Sequence, residues 1–121
     1  LRIIVCPIQN THTDSLQQFL EDKFQLKVSV KTAQEHDEQM AYVQGLTHFI
    51  GRALNAMDIP SDIDQKTQSY QHLLETKDLL KDDTIDLFVT IQNRNPYARQ
   101  VREDFLSTLG ALEKKLEENL P

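Results

Sequence analysis

Tryptophan is absent from this chain and cysteine occurs once, at Cys6, so no internal disulfide can staple the fold and stability must come from apolar packing. Three glycines and four prolines in 121 residues leave few places for tight turns. That scarcity disfavours strand-rich sandwiches and barrels and favours long helices. No run of about 18 apolar residues is present, so nothing reads as a membrane span, and no membrane partner is expected. Positive charge is also scarce: 13 basic residues face 19 acidic ones, for a net charge of −6. A surface that neutralises phosphates needs the opposite sign, which makes nucleic acid a poor partner. The apolar fraction of 39% is enough for a core and excludes collagen-like and disordered classes. The length suits one modest domain, or a small domain carrying a piece of another.

What is there begins abruptly. Arg2-Ile3-Ile4-Val5-Cys6 is a β-branched run that starts without a signal-peptide n-region and ends at Pro7, which cannot donate to a ladder. We therefore expect a cytoplasmic protein whose present first residue lies inside a longer chain. A polar loop, 9–13, follows, and Thr13 or Asp14 is suited to cap a helix whose Leu16, Phe19, Leu20 and Phe24 recur at three and four. Leu26-Lys27-Val28-Ser29-Val30-Lys31 then alternates with period two, as a strand with one wet face does. Residues 1–31 thus read strand, helix, strand. A unit of that size cannot cover its own sheet, so it resembles the end of an open α/β sheet.

Thr32-Ala33-Gln34-Glu35 has the form of a capping box, which starts a long helix. Val43, Leu46, Ile50, Ala53, Leu54 and Met57 share about a third of its circumference and are expected to face the core. The helix should end at Asp58-Ile59-Pro60-Ser61, with a second helix over 62–80 carrying Ile63, Tyr70, Leu73, Leu74 and Leu80. Ile85, Leu87, Val89 and Ile91 alternate like a strand, yet Phe88 breaks the alternation and a lone strand would have no partner. A helix capped from Asp82-Asp83-Thr84 is the better reading. After Asn93-Arg94-Asn95, Pro96 suits the first turn of a final helix. There Val101, Phe105, Leu109, Leu112, Leu116 and Leu120 form a heptad-like seam longer than a small core needs, part of which is free to meet another chain. Charge changes at the same boundary. Residues 1–31 hold four basic and three acidic residues, and the remainder nine and sixteen.

Chemistry is sparse. The glycines, Gly45, Gly51 and Gly110, form no phosphate-binding loop, and His12, His36, His48 and His72 have no metal-ligand spacing, so no metal is expected. Cys6 at a strand end reads as a small hydrophobe. The informative feature lies opposite the apolar face of the long helix. Asp37, Ala41, Gln44, Gly45, His48, Gly51, Arg52 and Asn55 form a strip of small and hydrogen-bonding residues. Glycine within a helix costs roughly 1 kcal/mol relative to alanine, so something should approach that strip closely. Either a second helix packs there with His48 as a satisfied polar group, or His48 faces a ligand.

The stretch His36-Asp37-Glu38-Gln39-Met40-Ala41-Tyr42-Val43-Gln44-Gly45-Leu46-Thr47-His48-Phe49 resembles a characteristic helix of the prephenate dehydrogenases. Tyr70, then Leu87-Phe88-Val89-Thr90-Ile91-Gln92-Asn93 with Asn95-Pro96, resembles a later region of the same family. The resemblance implies a mainly helical fragment. Residues 1–31 would be the end of a Rossmann-type nucleotide-binding domain, and residues 32–121 a helical dimerisation and substrate-pocket domain. It implies oxidative decarboxylation of prephenate to 4-hydroxyphenylpyruvate with NAD or NADP, the nucleotide bound mainly outside this chain and no catalytic residue within it. It also implies a homodimer. His48, Gln44 and Arg52 would contact substrate or the inhibitor tyrosine, while His36 and Asp37 would order the domain junction. Where the family carries an arginine that clamps a substrate carboxylate, this chain has Leu79 after Asp78. Arg52, or Arg94 or Arg99 of a second subunit, would have to replace it. The alternatives are an arogenate-using dehydrogenase, or a non-catalytic association or tyrosine-sensing module of the same fold.

Overall fold

The computed structural model describes residues 1–9 and 12–120. Asn10 and Thr11, part of the polar loop expected before the first helix, lie outside them. Two units are present, Leu1–Gln39 and Met40–Pro121.

The first unit pairs strands β1 (Arg2–Val5) and β2 (Lys27–Val30) in parallel, with Ile3 opposite Val28 and Val5 opposite Val30. Helix α1 (Thr13–Phe24) makes the connection. Its cap corrects the sequence expectation. The N-cap is His12, with no side-chain cap, because Thr13 is already the first helical residue. The His12 carbonyl instead accepts from the Leu16 amide and the Ser15 hydroxyl, both at 3.0 Å. Phe19 and Phe24 meet edge to face. Both remain exposed, as do Leu16 and Val30, and no described residue of the unit is buried. The Cys6 thiol donates to the Thr32 carbonyl at 3.8 Å.

Helix α2 (Ala33–Met40) opens with the expected capping box. The Glu35 amide donates to Thr32 Oγ1 at 3.1 Å, and the Thr32 amide donates to Glu35 Oε2 at 2.8 Å. The bond from the Thr32 amide, followed by a further one from the Thr32 hydroxyl at 3.1 Å, holds the Glu35 carboxyl below its ordinary pKa. Desolvation opposes them more weakly, and the Lys31 charge adds the least, in the downward direction.

In the second unit, residues Ala41–Leu46 form a π-helical turn that runs into α3 (Thr47–Met57). The extra residue wound into that turn rotates the following side chains by about 100°. The helix ends where Asp58 takes a left-handed conformation, φ 51°. Next comes α4 (Gln68–Leu80), shorter than the 62–80 helix expected from sequence. Thr67 is the reason: its Oγ1 accepts from the Tyr70 amide at 3.1 Å, and the Tyr70 hydroxyl ties the preceding segment down by donating to the Pro60 carbonyl at 2.6 Å. The disputed stretch is helix α5 (Ile85–Arg94), capped by Thr84 accepting from the Leu87 amide at 3.1 Å. Helix α6 (Ala98–Glu118) follows an N-cap at Tyr97, so Pro96 precedes the helix instead of occupying its first turn.

The buried side of the α3 region is the small-residue strip, where a packing helix was one of the two readings, and not the whole apolar face expected to meet the core. Ala41, Gly45 and Gly51 are buried, whereas Val43 and Met57 are 61% and 71% exposed. Small residues let neighbouring helices approach more closely than branched ones would, and the π turn shifts Val43 out of phase with Ile50. A Cβ built on Gly45 would lie 3.4 Å from the Ala98 Cβ of α6. One built on Gly51 would run into Leu80 of α4, with Leu80 Cγ at 3.2 Å. The Asn55 amide adds a polar clasp, donating to the Gly51 and Lys77 carbonyls at 3.0 Å each. Along α6, Val101 is buried and Phe105 half-buried, but Leu109, Leu112, Leu116 and Leu120 are exposed.

Candidate functional site

The sequence candidates divide between the two units. His36 and Asp37 lie in the first, side by side on α2, with His36 Nδ1 3.1 Å from Asp37 Oδ1. In the second, the π turn and α3 carry Gln44, His48 and Arg52. Gln44 is exposed, and its side chain has no hydrogen-bond partner among the described residues.

His48 and Arg52 are one turn apart on α3 and reach the same place from that helix. Both meet the short α4–α5 connection. His48 Nδ1 lies 3.1 Å from Asp83 Oδ2, and the Arg52 guanidinium donates to the Asp83 carbonyl at 3.0 Å. Arg52 also stacks over the Phe88 ring at 5.6 Å. Leu80 completes the cluster, whose side chains close on one another and leave no cavity. Asp83 Oδ2 is close to His48, yet it is buried and receives no hydrogen bond of acceptable geometry. A carboxylate oxygen desolvated in this way costs free energy unless a donor completes it.

A cleft of about 190 Å³ adjoins the cluster and shares Phe88 with it. Phe49, Phe88 and Val89 supply its apolar wall, and Gln92, Asn93 and Arg102 its polar one. Gln92 is buried and bonded through both its amide atoms: its amide nitrogen donates to the Gly45 carbonyl at 2.7 Å, and its Oε1 accepts from Arg102 at 2.7 Å. Arg102 also lies over the Phe49 ring at 5.9 Å.

Sequence reading did not single out Asp83, Phe88, Gln92 or Arg102 as site residues. In sequence Asp83 is only part of a cap cluster, and because Thr84 does the capping the Asp83 side chain is left for His48. The available signal was Gln92, a glutamine within the apolar run of α5. Leu79, where the resemblance calls for an arginine, is exposed, as is Asp78.

Both helix starts in the first unit carry an acidic group. α1 has no side-chain cap and carries Asp14 in its first turn, while the start of α2 is closed by the Thr32–Glu35 pair. An open cleft of about 450 Å³ beyond the strand ends, lined by Pro7, Ile8, Val30, Lys31 and Thr32, also presents the Glu35 carboxylate. Among the described residues, no three His, Cys, Asp or Glu side chains come together as metal ligands, and no helix is long and apolar enough to cross a membrane.

A comparison with known families matches residues 53–121 to the one described as TYRAAT1-like, C-terminal domain. The match covers more than half of the chain and spans Asp83, Phe88, Gln92 and Arg102, while His48 and Arg52 fall just before it. No curated protein matches the chain.

Proposed function

The chain belongs to the TYRAAT1-like C-terminal domain family, of the tyrosine/arogenate dehydrogenase type, and from that premise we propose that it is the substrate-side portion of an NAD(P)-dependent oxidoreductase acting on prephenate or arogenate. The reaction is an oxidative decarboxylation, yielding 4-hydroxyphenylpyruvate from the keto acid and tyrosine from the amino acid. The family type supports arogenate ahead of prephenate.

The observation that carries this reading is the His48–Arg52–Asp83 cluster against Phe88. It puts a histidine and a guanidinium beside an aromatic face, at positions the resemblance assigns to the substrate pocket. The cluster itself has no room for a ligand, so its role is to brace Phe88 and with it the wall of the adjoining cleft. The nucleotide is held mainly by residues outside this chain, as the family resemblance implies. The exposed apolar residues of the first unit, among them Ile3, Phe19 and Val30, support its being the end of a larger α/β sheet.

Pairing with a second copy belongs to the same reading. From Leu109 to Leu120 the seam of α6 has no cover in the single chain, and Leu112 and Leu116 are 52% and 66% exposed. Burying such a stripe against its equivalent would supply the apolar contact that a helical dimer needs. A cytoplasmic location fits these expectations.

The test is stoichiometric. The longer protein containing this chain should release one carbon dioxide for each reduced nicotinamide it forms from arogenate or prephenate. Nucleotide binding without either product, from a folded protein, would favour the non-catalytic sensor, a reading motivated by Leu79 standing where an arginine is expected.

A further inference from the structure

The His48 cluster has no room for a ligand, whereas the neighbouring cleft has about 190 Å³. That is below the roughly 300–1,000 Å³ of drug-sized pockets and suits one ring with a short side chain. The cleft also holds the better anion receptor. Arg52 spends a donor on the Asp83 carbonyl and lies beside that residue's carboxylate, one oxygen of which is buried. Arg102 is held by Gln92 Oε1 and by the Phe49 face, and among the described residues no carboxylate pairs with it and its other guanidinium N–H groups have no partner. A guanidinium fixed on two sides, with donors to spare and an aromatic wall next to it, is preorganised for a carboxylate.

We infer that the Phe49–Phe88–Arg102 cleft binds a single-ring carboxylic acid, with Arg102 holding the carboxylate and the two phenyl rings flanking the ring. Arg102 thereby does the work of the arginine missing at Leu79, and the acid is recognised from α6 instead of α4. Only the identity of the acid rests on the function proposed above.

The test titrates the ¹⁵N-labelled 121-residue chain with 3-(4-hydroxyphenyl)propanoate, and separately with its methyl ester, following the backbone amides. Saturable shifts are expected at Phe49, Phe88, Val89 and Asn93, with the acid binding at least about tenfold more tightly than the uncharged ester. Arg102→Gln should weaken the acid by a similar factor and leave the ester unchanged. Should that variant fail to fold by circular dichroism, the acid–ester ratio and the shift map of the unaltered chain decide the matter. Equal binding of acid and ester, shifts centred on His48 and abolished by Arg52→Gln, or no saturable binding would each overturn the inference. Turnover by the longer protein is a separate reading: lost turnover with acid binding intact strikes the proposed function alone, and intact turnover without Arg102-dependent binding strikes this inference alone.

Discussion

The Gln92 side-chain amide donates to the backbone carbonyl of Gly45 across 2.7 Å, joining α5 to the π turn that precedes α3. Both residues are buried, so the bond completes a carbonyl that water does not reach. The same side chain accepts from Arg102, and one glutamine therefore serves the packing and the cleft together.

Replacing Gln92 by Leu would keep the volume and remove both bonds. Leaving the Gly45 carbonyl unsatisfied should cost about 1–3 kcal/mol, read by denaturant unfolding. A loss below about 0.5 kcal/mol would show that Gln92 is not needed to close the turn.

Two glycines should respond oppositely to alanine. At Gly51 the new methyl would run into Leu80, with Leu80 Cβ only 3.3 Å away, so the gain in helix propensity is outweighed and a loss of about 1–3 kcal/mol is expected. At Gly110 nothing lies within 4 Å, and the same change should stabilise the chain by about 0.5–1 kcal/mol. Thermal unfolding of the two variants checks the pair, and equal effects would contradict the packing described for α3 and α4.

The helix at Ile85 shows what sequence could and could not convey. Its alternating apolar residues suited a strand, and the deciding facts were the break at Phe88, the want of a partner and the family resemblance. The capping box at Thr32 was legible because it is local, written within four residues. Close approach at Gly45 and Gly51 was legible, but not that Val43 and Met57 on the apolar face would be left exposed. That depends on a π turn, which no short-range pattern announces, and on Ala98 and Leu80 arriving from remote positions to fill the space over Gly45 and Gly51. The same holds for the site. His48 and Arg52 share a helix face and could be named together, whereas Asp83 and Arg102 join the region only through tertiary packing.

Acid should loosen the start of α2. The Glu35 carboxyl is held below its ordinary value first by the Thr32 backbone bond and then by the Thr32 hydroxyl. Because the folded pKa is the lower one, the contribution is fully present well above the ordinary glutamate value of about 4.3. It is lost as pH falls through that value and on through the folded one. Amide exchange protection across residues 32–36 should decline over that window in the unaltered chain and be lower and flat in Glu35→Gln. A flat profile in both would contradict the role given to the box.

The seam of α6 predicts assembly. At micromolar concentration the chain should sediment as a dimer, and Leu112→Glu with Leu116→Glu should give monomers, because two carboxylates in an apolar interface are costly to bury. A monomeric unaltered chain would remove the dimer from the proposal.

The central claim is that the His48 cluster braces the wall of a dehydrogenase's substrate cleft. The most direct measurement is kcat/KM for reduced-nicotinamide formation by the longer protein, with arogenate and prephenate each offered NAD and NADP, for the unaltered enzyme, His48→Gln and Asp83→Asn. Turnover of at least one substrate is expected, falling at least about tenfold in both variants, the loss of roughly one strong polar contact, while thermal stability and nucleotide affinity stay near those of the unaltered enzyme. No turnover of either acid by a folded, nucleotide-binding protein, or turnover indifferent to both substitutions, would contradict it.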